Sequence, residues 1–475
     1  MPEFHRDMYK DIEFDDIIGV LWIMFRESAK RQPLTAKILT PNGWTTMGDL
    51  SVGDKVIGSD GKSTDIKFMS EIVDRPIYEI ETEDGRKTEC DGEHLWTVRK
   101  MTNVKNKYET LTINELLDRK LYYDRKPDYR NGKKYKEYKF AIDTVKPIEL
   151  KEKKLPIEPY FLGLWLGDGT SSSVDITSED IEVENYLKEY ANRLGLKFKK
   201  REDKGNADTL SITRGYTGDK ADRFSLQGEL RKLGVLNNKH IPEDYISSSI
   251  EQRKALLEGL MDSDGTTSSG TLSFSNKNEK IIDGVVDLVR SLGGRANKSK
   301  AKTFCYYKGE KKDCDYYRVS ILFTDYTPFR IVRKKDKHKL SNHTFSRIIN
   351  IKLVGDKKGR CIGISNEDGL YITDDYLLTH NSSLAKIKII HSIVYNYKKY
   401  ILWTSFDEKK SAANLFDIVL QLQTNKKIIN DFGQLFYDDN IGNEKKSKKK
   451  SIKEFITKNE VKVQAYSTGQ SARGA

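Results

Sequence analysis

Two stretches of this chain, YFLGLWLGDGTSSSVDITSED at 160–180 and LLEGLMDSDGTTSSGTLSFSN at 256–276, are copies of one plan. Each begins as an apolar helix and carries small residues four apart, Gly163/Gly167 in one copy and Gly259/Ser263 in the other. Each then reaches an aspartate just before a glycine and runs through Thr and Ser into an alternating strand. A further helix follows in both, YLKEYANRLG and VVDLVRSLG. Small residues at helical spacing let two helices approach until their backbones touch. The repeat therefore predicts two helices packed about a pseudo-twofold axis, with Asp168 and Asp264 meeting at one end. Two like charges there want divalent cations. Such a pair can hold metal over scissile phosphates and activate water.

Composition narrows the partner. The formal net charge is +12 with a sequence pI near 9.1, which suits a polyanion. Lys and Arg on strands flanking the repeat would meet a nucleic-acid backbone. Four cysteines, Cys90, Cys305, Cys314 and Cys361, are too few for a disulfide framework in so long a chain. A reducing cytosol fits, and it leaves Cys361 available as a thiol nucleophile. Cys305 and Cys314, with His338 and His343, lack the close cysteine pair of a zinc site. The longest apolar run, IIGVLWIMF, is too short to span a membrane, and the polar, acidic start MPEFHRDMYKDIEFDD is unlike a signal peptide. A cytoplasmic protein with no membrane partner is expected.

The paired motifs resemble the dodecapeptide motifs of LAGLIDADG (DOD-type) homing endonucleases, and LNNKHIPEDYISSSIEQRKALLEGLMDSDG resembles that family's approach to its second motif. The resemblance implies an α+β endonuclease domain with two pseudo-symmetric halves, a saddle of two sheets on double-stranded DNA, and Mg²⁺ held by Asp168 and Asp264. Lys298, Lys300, Lys302 and Lys335 are alternatives for a supporting lysine.

On either side of this region the style changes to short strands divided by Pro-Asn-Gly, Ser-Asp-Gly and Asp-Gly turns, first over 31–140 and again over 346–381. The outermost parts read as α/β pieces. The arrangement is nested, one domain inserted in another and itself interrupted. The second β stretch ends in His380, Asn381 and Ser382. The Asn381 amide can attack its own carbonyl carbon and cut the chain, His380 can assist as proton donor, and Ser382 offers a hydroxyl for an ester.

A β domain that ends this way and encloses such an endonuclease resembles an intein, with TPNGWTTMGDLSVGDKVIGSDG similar to that family's N-terminal block. The usual Cys or Ser is missing at the upstream end, where Arg31 is the first residue expected. Trp96 after His94, Cys361 opening CIGISNEDGLYI, and Thr379 before His380 together resemble the Trp-Cys-Thr type of intein, which lacks an N-terminal nucleophile. That resemblance implies that Cys361 attacks the Lys30 carbonyl while His94 and its pocket help the nitrogen leave. Ser382 then accepts the acyl group, Asn381 cyclises with help from His380, and Lys30 is joined to Ser382. Trp96 would shape or shield the cysteine, and Thr379 would donate a hydrogen bond.

Removing 31–381 brings IIGVLWIMFRESAK against SSLAKIKIIHSIVYNY, a strand, a short loop and a helix. A lysine and a hydroxyl at such a turn suit a triphosphate and its Mg²⁺. The junction resembles the phosphate loop of phage terminase large subunits. In that reading Lys30, Ser382 and Arg26 would bind ATP only after splicing, in an incomplete α/β P-loop ATPase.

The expected multidomain layout is therefore a host segment at 1–30, an all-β Hint splicing domain at 31–150 and 341–381, the endonuclease at 151–340, and a second host segment at 382–475. A monomeric intein is expected. The alternatives are a splicing-defective scaffold that carries a nuclease, and a nonenzymatic DNA-binding module.

Overall fold

The computed structural model describes residues 31–435 and 453–467, apart from short gaps at 102–107, 126–134, 203–206, 215–223, 269, 308–309, 343–344, 367, 381–383 and 406–407. The expected strand IIGVLWIMF and residues Arg26, Lys30, Asn381 and Ser382 lie outside the described residues. Contacts divide the chain into two compact units, Lys30–Asn381 on one hand and Met1–Ala29 with Ser382–Ala475 on the other. Among the described residues no helix is long and apolar enough to cross a membrane.

Within the larger unit the β region is built from segments far apart in sequence. The strand Phe345–Arg360 pairs antiparallel with Val73–Thr82, with Phe140–Asp143 and with Gln32–Pro33. The seven-stranded sheet continues to Lys87–Asp91 at one side and through Leu95–Lys100 to Tyr108–Thr112 at the other. Among the described residues three smaller sheets accompany it: Tyr122–Asp124 with Lys136–Tyr138; Ile362–Ile364, Ser63–Met69 and Lys55–Ile57; and Leu377–His380, Leu370–Thr373, Lys37–Thr40 and Gly43–Thr46. Alternation shows along these strands: Ile80 and Thr82, and Trp96 and Val98, two positions apart, are buried. Phe345–Arg360 is one strand of sixteen residues, where the sequence suggested short strands. Gly355, which reads as a turn residue, takes a φ of +126° at a register shift instead, so it bends the strand without ending it.

The middle region repeats one order of elements. A helix Pro159–Asp168, a short strand, a helix Ile181–Arg193 and a hairpin of Lys197–Arg201 with Asp208–Thr213 make the first half. Helix Ile250–Ser263, strands Gly265–Ser268 and Thr271–Asn276, helix Glu279–Ser291 and a hairpin of Arg295–Tyr307 with Glu310–Leu322 make the second. The two leading helices pack on each other in one core that both halves share. A Cβ built on Gly163 would stand 2.9 Å from the Gly259 Cα, and one on Gly259 would stand 3.0 Å from the Gly163 Cα. Only glycine at both positions allows this approach. Ser249 and Gln252 form a capping box that fixes where the second leading helix begins.

The smaller unit contains helices Leu384–Val394 and Glu408–Thr424 and the parallel strands Tyr400–Ser405 and Lys462–Ser467. This agrees with the α/β reading of the downstream segment.

Candidate functional sites

The two leading helices bring their aspartates to the same end. Asp168 is the last residue of its helix and Asp264 caps the other. The Asp168 carboxyl is pushed up to about 6, first by burial and then by the Asp264 charge. Burial also raises the Asp264 carboxyl, although Asn276 Nδ2 donates to its Oδ2 over 2.9 Å.

Two lysines that the sequence reading passed over complete this site. Lys239 Nζ donates to the carbonyls of Trp165, Leu166, Gly167 and Gly169 at 2.8, 3.1, 3.3 and 2.6 Å. Lys334 Nζ donates to the carbonyls of Met261, Asp262, Ser263 and Gly265 at 3.1, 2.6, 3.1 and 3.0 Å. Each acceptor in the second set is the repeat counterpart of one in the first. Each ammonium thus closes the carbonyl end of one leading helix, where the helix dipole favours a cation. Burial lowers the Lys239 ammonium to about 8 against the pull of Asp264 and Asp168, and it lowers Lys334 as well. Asp262 anchors the second lysine's turn by accepting from the backbone N–H groups of Arg330 and Ile331. The lysines proposed from sequence do not reach this site. Lys298 is held by Glu279 and Asp283, Lys300 by Asp315, and Lys302 and Lys335 are exposed.

The acid pair fits a divalent cation. Two carboxylates made costly by burial and by each other are what a bound cation relieves, and Mg²⁺ commonly takes one or two carboxylates with water and substrate phosphates. Among the described residues no cluster of three or more His, Cys, Asp or Glu side chains forms a complete protein-only metal cage.

A second site lies in the β region. Gln32 pairs with Arg360 and Pro33 with Gly359, so the pairing ends one residue from both Arg31 and Cys361. Cys361 is buried, and its backbone exchanges hydrogen bonds with Ser70: Cys361 N–H to Ser70 Oγ at 3.0 Å and Ser70 N–H to the Cys361 carbonyl at 2.9 Å. Tyr371 lies near both Cys361 and Cys90, and its hydroxyl donates to Gln32 Oε1 over 2.7 Å. His94 is fully buried, lies 5.8 Å from the Trp96 ring between centroids, and has its Nε2 hydrogen-bonded to Thr379 Oγ1. His380 Nε2 is hydrogen-bonded to Thr97 Oγ1. Strand pairing of Leu377–His380 with Leu370–Thr373 delivers Thr379 and His380 to this place. The structure therefore gathers His94, Trp96, Cys361, Thr379 and His380 about the start and end of the unit. Asp91 also stands there, and the sequence reading did not single it out. Its backbone N–H donates to the Arg31 carbonyl over 2.9 Å.

Comparison with known proteins agrees with part of this picture and corrects another part. Residues 240–322 match the family model "Homing endonuclease". Replicative DNA helicase DnaB of Mycobacterium intracellulare is 29% identical over 388 residues, which cover 75% of this chain and 59% of that protein. A crystal structure of the MchDnaB-1 intein is 41% identical over 14% of this chain and 52% of its own, with a TM-score of 0.14. Mesophilic variants of the homing endonuclease I-DmoI are 18% identical over 39% of this chain and 98% of theirs, with a TM-score of 0.25. The middle region is an α+β unit whose residues 240–322 match the homing-endonuclease model, and a DnaB helicase is among the curated relatives of the chain. The chain spans about three-fifths of that relative's length.

The assignment of the host to a phage terminase large subunit does not stand, because the relative matched over 75% of this chain is a DnaB helicase. The physical reason for the misreading is plain. A lysine followed by a hydroxyl between strand and helix serves the phosphates of many ATPases, so a dozen residues around Lys30 and Ser382 do not separate one ATPase from another.

Proposed function

We propose that the chain is a DnaB-like helicase segment interrupted by a self-splicing intein that carries a double-strand DNA endonuclease. The observation that supports splicing is the pairing of Gln32 with Arg360, the chain neighbours of Arg31 and Cys361. In this reading the Cys361 thiolate attacks the Lys30 carbonyl, the Arg31 nitrogen departs, and the acyl group moves to Ser382. Asn381 cyclises beside His380, which Thr97 orients. Trp96 and the buried His94–Thr379 pair wall the pocket and keep water from the thioester. Splicing then restores a loop in which Lys30, Ser382 and Arg26 contribute to a nucleotide site of the helicase.

The nuclease reading rests on Asp168 and Asp264 with Lys239 and Lys334. The carboxylates would hold Mg²⁺, which supplies charge to polarise a phosphodiester and activate water. Lys239 and Lys334, each fixed to a helix end, would meet charge that builds on the phosphates of the two strands.

The test is expression of the full chain with mass measurement of the products. Excision of 31–381 and a ligated host are expected from the wild type, and Cys361→Ala should leave the precursor uncut at Lys30. Excision that survives Cys361→Ala would refute the nucleophile. No excision in the wild type, with plasmid cutting retained, would leave a nuclease on a splicing-dead scaffold.

A further inference from the structure

Breaking the Lys30–Arg31 bond needs a proton for the departing nitrogen. His94, expected to help that nitrogen leave, has its Nε2 hydrogen-bonded to Thr379. Asp91 is placed differently. It ends the strand Lys87–Asp91, is only 3% exposed, and donates its own backbone N–H to the Arg31 carbonyl. Its carboxyl accepts from the Arg31 backbone N–H, the nitrogen of the bond to be broken. Its Oδ1 is buried without a hydrogen-bond partner among the described residues.

We infer that Asp91 is the catalytic acid of the first splicing step, delivering its proton to the Arg31 nitrogen as the Lys30–Arg31 bond breaks. This rests on the splicing reading above. The step balances: a bond forms between Cys361 Sγ and the Lys30 carbonyl carbon, and the C–N bond to Arg31 breaks. The electron pair stays on nitrogen and takes the Asp91 proton. The proton shed by the Cys361 thiol then restores the carboxyl, so none is consumed. The carboxyl is suited to this. Burial pushes it up to about 7, Glu93 adds to the rise, and the Arg31 backbone together with the Arg31 and Arg75 charges opposes it. Cys90 and Tyr371 face it from the same strand and from the strand Leu370–Thr373, and both become harder to ionise in its field. A neutral carboxyl is also the form that a buried, unpaired oxygen favours.

The test uses the full chain carrying Asn381→Ala, in which hydroxylamine releases the upstream fragment once the thioester has formed. Release is followed by mass across pH 5.5 to 9 with Asp91, Asp91→Asn and Asp91→Glu. Asp91→Asn should slow release about 100-fold or more, the usual size of general-acid catalysis, and Asp91→Glu should recover part of it. The wild-type rate per thiolate should fall as pH rises through about 7, and this limb should vanish in Asp91→Asn. Chains with Asn381 intact check the fold, because Asp91→Asn should still cleave after Asn381. Equal rates and equal profiles for Asp91 and Asp91→Asn overturn the inference, and so does loss of both cleavages, which marks a structural role. If the Asp91 chain itself releases nothing while Asn381 cleaves, the splicing reading has failed at Cys361 rather than at Asp91.

Discussion

Replacing Asp168 by Asn should stabilise the protein at neutral pH while it removes DNA cutting. In the folded chain the Asp168 carboxyl is pushed from 3.8 up to about 6, by burial first and the Asp264 charge second. Between those two values the folded protein binds more protons than the unfolded chain. Stability therefore falls as pH rises through this window, and the cost is fully present above about 6 and absent below 3.8. A difference of this size corresponds to about 3 kcal/mol. The side chain is partly exposed, so screening reduces the expected gain to roughly 1–3 kcal/mol. Asparagine keeps the shape and carries no charge. The assay is urea unfolding followed through Trp165, which is fully buried and lies three positions before Asp168. The chain should carry Cys361→Ala to prevent splicing. Asp168→Asn should raise stability by this amount at about pH 7.5 and by almost nothing at about pH 3.5. Mg²⁺ added at the higher pH should stabilise the Asp168 chain and narrow the gap. A variant no more stable than its parent at pH 7.5, or a gain that persists unchanged at pH 3.5, would refute the electrostatic argument.

Other outcomes follow from the same geometry. Gly163→Ala should destabilise the middle region by roughly 1–3 kcal/mol, because the new methyl lands within 2.9 Å of the Gly259 Cα; denaturant midpoints read this directly. Lys239→Met and Lys334→Met should each lower plasmid cleavage by roughly 10²-fold, and a nicked intermediate should accumulate if each lysine serves one strand. Cleavage by either variant at the parental rate would remove that lysine from the site.

Much of the middle region is legible in the sequence because its determinants are local. Gly163 and Gly259 fix the helix contact, and each aspartate follows its own helix at a set distance. The lysines were legible too, in a signal the reading did not use. Lys239 comes 71 residues after Asp168, and Lys334 comes 70 after Asp264. A repeat that duplicates an acid should duplicate its cation at the same offset. Lys298, Lys300, Lys302 and Lys335, the candidates from sequence, lie instead on charged, largely solvated surface. Asp91 was not legible in this way. Nothing local ties it to Arg31, sixty positions earlier; only the pairing of Gln32–Pro33 with a strand from the far end of the unit puts them together. The host could not be named from the junction, since the residues that touch phosphate are shared by unrelated ATPases.

The strand Phe345–Arg360 has a consequence for timing. It closes the β region against Gln32–Pro33, Val73–Thr82 and Phe140–Asp143, yet it is translated after the whole endonuclease. On the splicing proposal, the Lys30–Arg31 bond has no attacker until this strand and the Cys361 that follows it leave the ribosome. On that proposal a nascent chain, or one truncated within the middle region, keeps its upstream segment. On that proposal chain order acts as a safety catch, because the residue that attacks is made only after the whole middle region.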